Sequence, residues 1–132
     1  MTRAGRIHHL ELYVGKLAAS RAFWEPFLTR LGYRRYQVWE GGVSFFLDPT
    51  YLVLVEVEPA YRAAGYHRKR IGLNHLAFHA ESRAQVDALT RWVVENGHTL
   101  LYPDRHPYAG GPDYYALFCE DPDRIKVEVV AP

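Results

Sequence analysis

The chain has 132 residues, which by size make one domain or two very small halves that share a core. A hydrophobic content of 48% excludes a disordered protein, and a net charge of +1 gives no electrostatic case for a nucleic-acid or membrane partner. The single cysteine, Cys119, excludes an internal disulfide and a cysteine-based zinc site, and it fits a reducing, cytoplasmic setting. Because we find neither a signal peptide nor an apolar run of membrane-spanning length, we expect a soluble protein.

The first half begins with an alternating segment, Ile7–Val14, in which Leu10, Leu12 and Val14 share one face of a predicted strand. His9, Glu11 and Tyr13 share the other face. An amphipathic helix is predicted from about Leu17 to Leu31, with Ser20 as a possible cap and Pro26 as a possible kink.

Three strands are predicted next, at 33–40, 43–47 and 51–58, separated by turns at Gly41-Gly42 and Asp48-Pro49. Glu56 is the only charged residue inside the apolar run of the third strand. An ionised carboxylate in such a place needs a partner or it shifts its pKa.

A connector over 59–70 ends in the basic run His67-Arg68-Lys69-Arg70. Arg68 and Arg70 are candidates for holding an anionic substrate group, although a solvated connector is the commoner explanation of such a run. The strand after it, Gly72–Ala80, carries His75 and His79 on the face opposite Leu76 and Phe78. A helix over 82–96, a short strand over 98–102, a loop over 103–113 and strands over 114–120 and 124–130 complete the second half.

Both halves are therefore predicted to have the order strand, helix, strand, strand, strand. When His9 is aligned with His75, the predicted elements of the two halves align as well. Glu56 follows His9 on the last strand of the first half, and Glu128 follows His75 on the last strand of the second. Two packed modules would bring these four residues to a shared cleft. Two imidazoles and two carboxylates suit a divalent metal ion that keeps positions open for substrate.

At these residues the chain resembles the vicinal oxygen chelate superfamily, which includes glyoxalase I, extradiol dioxygenases and bleomycin-binding proteins. The motifs that carry the resemblance are His9–Val14, Phe23-Trp24, Leu31-Gly32-Tyr33, Asn74–Phe78 and Asp121-Pro122-Asp123 with Lys126–Glu128. The family often has glycine after that last turn, where this chain has Arg124.

The resemblance implies an α+β fold of two βαβββ modules, about 6–58 and 71–131, that form paired half-open barrels around a shared cleft. It also implies one bound divalent ion (Ni, Zn, Mn or Fe), a small-molecule substrate and, as in many relatives, a homodimer. The implied metal ligands are His9, Glu56, His75 and Glu128.

The reaction stays open at this stage, because members of one fold share ligands and differ in chemistry. Four ligands favour a glyoxalase I-like lyase or isomerase in which Glu128 or Glu56 is the catalytic base. Three ligands (His9, His75 and Glu128) match an iron(II) ring-cleaving dioxygenase or a thiol transferase. A metal-free, antibiotic-sequestering protein is the third alternative. The candidate substrate-binding residues are Tyr13, His79, Arg68, Arg70, Tyr108 and Tyr115. The loop that contains Tyr108, together with Tyr114 and Tyr115, could form a lid over the cleft.

Overall fold

The computed structural model describes residues 2–132 as two compact units, of which unit 1 ends at Gly65 and unit 2 is Tyr66–Pro132. Each unit is a four-stranded sheet with one long helix. This confirms the predicted α+β fold of two βαβββ modules. None of the helices within residues 2–132 is long and apolar enough to cross a membrane.

Unit 1 follows the predicted order of elements. They are β1 (His9–Val14), α1 (Leu17–Arg30), β2 (Arg34–Trp39), β3 (Gly42–Leu47), β4 (Thr50–Glu56) and a short helix, α2 (Pro59–Arg62), in the connector. The sheet order is β1-β4-β3-β2, with β1 parallel to β4 and the other neighbours antiparallel. Such a parallel pair needs a crossover, which α1 and two further strands provide.

The core of unit 1 lies between α1 and one face of this sheet. Phe23, Trp24 and Phe27 of α1 are fully buried, and Leu54 and Val43 are fully buried on the strands. Burying each such side chain contributes about 1.5–3 kcal/mol, so this face holds the unit together. The opposite face of β1 carries His9, Glu11 and Tyr13, all exposed.

Unit 2 repeats the arrangement with β5 (Leu76–His79), α3 (Arg83–Glu95), β6 (Thr99–Leu100), β7 (Ala116–Glu120) and β8 (Lys126–Val130). Its sheet order is β5-β8-β7-β6, and β5 is parallel to β8. On α3, Val86, Leu89 and Val93 are buried. Ser82 caps the helix, because its hydroxyl accepts a hydrogen bond from the backbone N–H of Gln85 at 3.1 Å.

Some element boundaries differ from the predicted ones. The strand predicted over Gly72–Ala80 is only Leu76–His79, because its partner β8 begins at Lys126 and leaves the earlier residues without a neighbour. The strand β6 is two residues long, and Tyr102, which follows it, has a φ of 52° that no extended strand adopts. Ser20 does not cap α1; the helix begins at Leu17, and Ser20 is buried inside it. Pro26 also lies inside the helix.

Candidate functional site

The centre of unit 2 is the carboxylate of Glu128, which lies on β8 and is only 3% exposed. A buried carboxylate needs compensating partners, and Glu128 has two. His75 Nε2 lies 3.3 Å from its Oε1, and the Tyr114 hydroxyl donates a hydrogen bond to its Oε2. The pairing of β5 with β8 explains the first contact, because Glu128 is in register with Ala77, two residues after His75.

The imidazole of His75 is oriented by its neighbour Asn74. The amide oxygen of Asn74 lies 2.7 Å from His75 Nδ1, and an amide oxygen can only accept, so Nδ1 carries the proton of this bond. In the neutral ring Nε2 then has a lone pair, and that lone pair faces Glu128 Oε1. Two lone pairs at 3.3 Å repel each other unless a proton or a cation lies between them.

Tyr114 is held against Glu128 by the glycine-rich loop before β7. A Cβ atom on Gly110 would come within about 3.0 Å of Tyr114 Cε1, so only glycine leaves room for the ring. The hydrogen bond to the Glu128 carboxylate, with smaller contributions from burial and charge, raises the pKa of Tyr114 to about 12. Tyr114 therefore stays protonated at neutral pH and remains a donor.

Tyr108 and Tyr115, the predicted substrate-binding tyrosines, have other partners. The Tyr115 hydroxyl donates to Asp87 Oδ1 of α3, and the Arg83 guanidinium lies over the Tyr115 ring at 4.7 Å. The Tyr108 ring packs edge-on against Tyr115 at 5.5 Å. Consecutive residues in extended chain point to opposite faces, so Tyr114 reaches Glu128 while Tyr115 reaches the helix. Tyr108 and Tyr115 thus pack the loop before β7 against α3.

In unit 1, His9 lies at the start of β1 and is exposed. Its ring stacks on the ring of Tyr51, with 4.7 Å between centroids and 5° between planes. His8 Nδ1 lies 2.9 Å from His9 Nδ1, so one imidazole donates to the other. When His9 is the donor, its Nε2 has the free lone pair that a metal ligand requires. In that tautomer His8 would orient His9 as Asn74 orients His75.

Glu56 lies at the opposite end of β4 from His9. In the parallel pair, His9 is in register with Tyr51 and Glu56 with Val14. Glu56 Oε1 accepts a hydrogen bond from the backbone N–H of Leu17 at 2.9 Å, and Arg62 lies 3.8 Å from its other oxygen. The carboxylate thus caps the N-terminus of α1, where the helix dipole favours negative charge, and it lies on the face of β4 opposite to Tyr51, the neighbour of His9. Glu56 as a metal ligand stays a prediction.

The strand registers show that Val53, not a carboxylate, occupies the place of Glu128 in unit 1. In unit 2 the residue two positions after the histidine is Ala77, and it pairs with Glu128. In unit 1 the corresponding pair is Glu11 with Val53. The carboxylate therefore lies on β1 in unit 1 and on the last strand in unit 2. Glu11, not Glu56, shares the face of His9.

A basic pocket in unit 2 contains one of the two predicted arginines. It has a volume of about 190 Å³ and is lined by Tyr66, His67, Arg68, Lys69 and Arg124. Arg70 is exposed in the same connector, outside this lining. Arg124 has a φ of 68°, a left-handed conformation that costs a non-glycine residue about 1–2 kcal/mol.

The remaining candidates are placed as follows. Tyr13 is 68% exposed and lines a cavity of about 350 Å³ with Val57, Glu58 and Tyr61. His79 is exposed at the end of β5, on the strand face of Ala77. Within either unit, over residues 2–132, no three His, Cys, Asp or Glu side chains are already grouped to hold a metal ion.

Three residues that contact the candidate metal ligands are not identified by the sequence analysis. Asn74 and His8 are each adjacent to a candidate histidine, and that adjacency is the signal that could have identified them. Tyr114 is not among the predicted site residues. Counting the alternation back from Ala116 in β7 would have separated Tyr114 from Tyr115.

Comparison with known proteins agrees with this fold. The chain is 57% identical over 126 residues to the uncharacterised protein YqjT of Bacillus subtilis (strain 168), covering 96% of this chain and 98% of that protein. It is 55% identical to a glyoxalase candidate from Bacillus halodurans whose crystal structure superposes with a TM-score of 0.97, with 98% of each chain covered.

The lactoylglutathione lyase of Agrobacterium tumefaciens shares the fold at 20% identity and a TM-score of 0.68, covering 98% of this chain and 96% of that one. The family model of the Glyoxalase/Bleomycin resistance protein/Dioxygenase superfamily matches residues 6–129. This chain belongs to that superfamily.

Proposed function

We propose that the protein is a metal-dependent enzyme of the glyoxalase type, a lyase or isomerase that acts on a small molecule with two neighbouring oxygens. The observation that carries this proposal is the buried carboxylate of Glu128 with His75 Nε2 at 3.3 Å. A carboxylate and an imidazole in contact, each held by its own hydrogen-bond partner, are typical of a catalytic site rather than of a core.

The donors of unit 2 fit a divalent ion. Two ligand atoms that each lie about 2.1 Å from one ion are separated by roughly 3.0–3.4 Å, and the Nε2-to-Oε1 distance of 3.3 Å is in that range. The ion would also remove the repulsion between the facing lone pairs. We assign His75 and Glu128 as ligands, with His9 as a third. Glu11 is the carboxylate that unit 1 offers beside His9, and it takes the role that the repeat gave to Glu56.

In this proposal, Glu128 removes a proton from the substrate carbon next to a carbonyl group, and the electron pair moves onto the carbonyl oxygen. A bound divalent ion would supply Lewis-acid stabilisation of that oxygen. Tyr114 holds Oε2 through its hydrogen bond, and Oε1, which would loosen from a bound ion, accepts the proton. Asn74 holds His75 in the tautomer whose Nε2 faces the site.

The test begins with the metal content of protein purified without a chelator or a histidine tag. We expect about one nickel, zinc or manganese ion per chain, lost in His75→Ala and in Glu128→Gln. Glu95→Gln, an exposed glutamate at the end of α3, is the matched control and should keep the ion. Metal content that is unchanged in both site variants would refute the ligand assignment.

A second candidate is an iron(II) ring-cleaving dioxygenase, and the hydrogen bond of Glu56 with the first residue of α1 favours it. With Glu56 held at the helix, His9, His75 and Glu128 form the two-histidine, one-carboxylate set that iron(II) oxygenases use. Iron as the metal of the purified protein, with oxygen uptake in the presence of a catechol, would select this candidate. Nickel or zinc would select the lyase or isomerase, or a thiol transferase.

A metal-free sequestering protein would show no metal under any reconstitution and would still bind an aromatic drug. The homodimer and the cytoplasmic location are also proposals. Light scattering of the purified protein tests the first, and fractionation of cells that express the chain tests the second.

A further inference from the structure

The basic pocket of unit 2, lined by Tyr66, His67, Arg68, Lys69 and Arg124, presents hydrogen-bond donors. His67 Nδ1 accepts from the backbone N–H of Lys69 at 3.0 Å, so the neutral ring carries its proton on Nε2. Arg68, Lys69 and Arg124 can only donate. The Tyr66 hydroxyl donates to the carbonyl of Leu73. A lining of this kind suits a ligand that accepts several hydrogen bonds.

Two of the cations at the pocket share one carboxylate. The Oε2 atom of Glu120 lies 2.5 Å from Arg68 Nη1 and 3.5 Å from Arg124 Nε. Asp121, in the adjoining turn, accepts through Oδ1 from the backbone N–H groups of Asp123 and Ile125. Glu120 therefore holds both arginines at the pocket while Asp121 holds the turn.

Arg124 supplies an independent observation. Its φ of 68° is a conformation that glycine adopts freely and arginine does not. The following residue, Ile125, is buried and bound to the Asp121 carboxylate, so the turn itself is fixed by other groups. A strained residue that persists where the turn does not need its side chain points to a role for that side chain.

The pocket is linked to the candidate ligand Glu128 through one strand pair of unit 2. Glu120, which holds Arg68 and Arg124, is on β7 and in register with Lys126 of β8, and Lys126 is two residues before Glu128 on the same face. Two residues of a strand span about 7 Å. The carboxylate that holds the two arginines is therefore a near neighbour of Glu128 in the sheet.

We infer that this pocket binds a compact oxyanion, a phosphate or a carboxylate group. That the oxyanion is the anchoring group of the substrate rests on the proposed function; that the pocket binds oxyanions does not. Planar guanidinium groups and an ammonium group recognise both kinds of anion, and the two are separated by direct binding measurements.

The experiment is calorimetric titration of the full chain with inorganic phosphate and, separately, with malonate, at constant ionic strength set by chloride. We expect saturable binding of one of the two, weakened about tenfold or more in Arg124→Gly. Because glycine suits a positive φ, the same variant should melt no earlier than the parent. Arg91→Gln, which removes an exposed charge on α3, should bind as the parent does.

Three results would overturn the inference. They are no saturable binding of either anion, equal binding by Arg124→Gly, and equal weakening in Arg91→Gln, which would indicate general surface charge.

Glu128→Gln distinguishes the anion-binding pocket from the proposed metal-dependent function. If this variant loses its metal and still binds the anion, the pocket is independent of the metal centre. If metal content proves insensitive to Glu128 while Arg124→Gly loses the anion, the proposed function fails and the pocket stands.

Discussion

Gly110 lies against the ring of Tyr114 so closely that a Cβ atom would be about 3.0 Å from Tyr114 Cε1. The loop before β7 therefore controls where the Tyr114 hydroxyl is, and that hydroxyl holds the carboxylate of Glu128. A residue that touches neither a candidate ligand nor a candidate base is in this way part of the site. The arrangement of Tyr114 and Glu128 requires a residue without a Cβ atom at position 110.

We predict that Gly110→Ala displaces Tyr114 and lowers the free energy of unfolding by about 1–3 kcal/mol, the usual cost of overpacking. Tyr114→Phe keeps the ring and removes only the hydroxyl, so its main effect should be on Glu128. Urea denaturation measures the first effect, and metal affinity measures both. If Gly110→Ala keeps parental metal affinity while Tyr114→Phe loses it, the displacement argument is wrong.

Glu56→Ala should act on folding and leave the metal in place. The variant removes the acceptor of the Leu17 N–H and the partner of Arg62, and the loss of such a cap costs about 0.5–2 kcal/mol. Chemical denaturation and metal analysis of the same preparation check both parts. Glu58→Ala, an exposed neighbour, is the control and should change neither. Loss of metal in Glu56→Ala with stability unchanged would restore Glu56 as a ligand.

The contrast between Glu56 and Glu128 shows which features of the fold and the candidate site can be predicted from the sequence. The order of elements, the alternation of His9 and His75, and the two-module fold follow from local patterns that persist over many residues. These features depend on residue spacing within one strand or helix. Glu128 stays a predicted ligand, and its 3.3 Å contact with His75 depends on the register between neighbouring strands, which spacing within one strand does not report.

Glu56 shows a different limit. Alternation puts Glu56 with Leu52 and Leu54, the face that packs on α1, and the register of β1 with β4 gives the same face. The repeat pairs Glu56 with His9 by its place in the order of elements, which says nothing about the face of a strand. The contact of Tyr114 with Glu128 has no local signal either, because it depends on the space beside Gly110 and on the neighbouring strand β8.

Asn74→Ala should weaken metal binding without removing any ligand. In the parent, the Asn74 carbonyl oxygen fixes the proton on His75 Nδ1, and partners of this kind typically contribute 10–100-fold to metal affinity. Competition with a fluorescent chelator measures the change. Asn74→Asp keeps an acceptor and should recover most of the affinity. His79→Ala, which removes an exposed histidine of the same strand, should bind metal as the parent does; equal weakening there would mean that the effect is not specific to Asn74.

Unit 2 should lose stability as the pH falls below about 6.5, the usual pKa of histidine. Burial lowers the pKa of His98 and, as the largest cause, that of His106. The folded state therefore binds fewer protons at these rings than the unfolded state does. The two neutral rings therefore stabilise the folded state fully when the pH is above the histidine pKa of the unfolded chain. This stabilisation is lost as the pH decreases toward the lower histidine pKa of the folded state.

Melting temperatures measured between about pH 7.5 and pH 5 test this expectation. We expect the melting temperature to decrease over this range, and both His98 and His106 should contribute to the decrease. His98→Gln and His106→Asn should each flatten the pH profile, and the double variant should flatten it further, because neither replacement titrates in this range. His79→Gln is the control, since that ring is exposed at the end of β5. A profile that stays as steep in the double variant as in the parent would show that other groups cause the acid sensitivity.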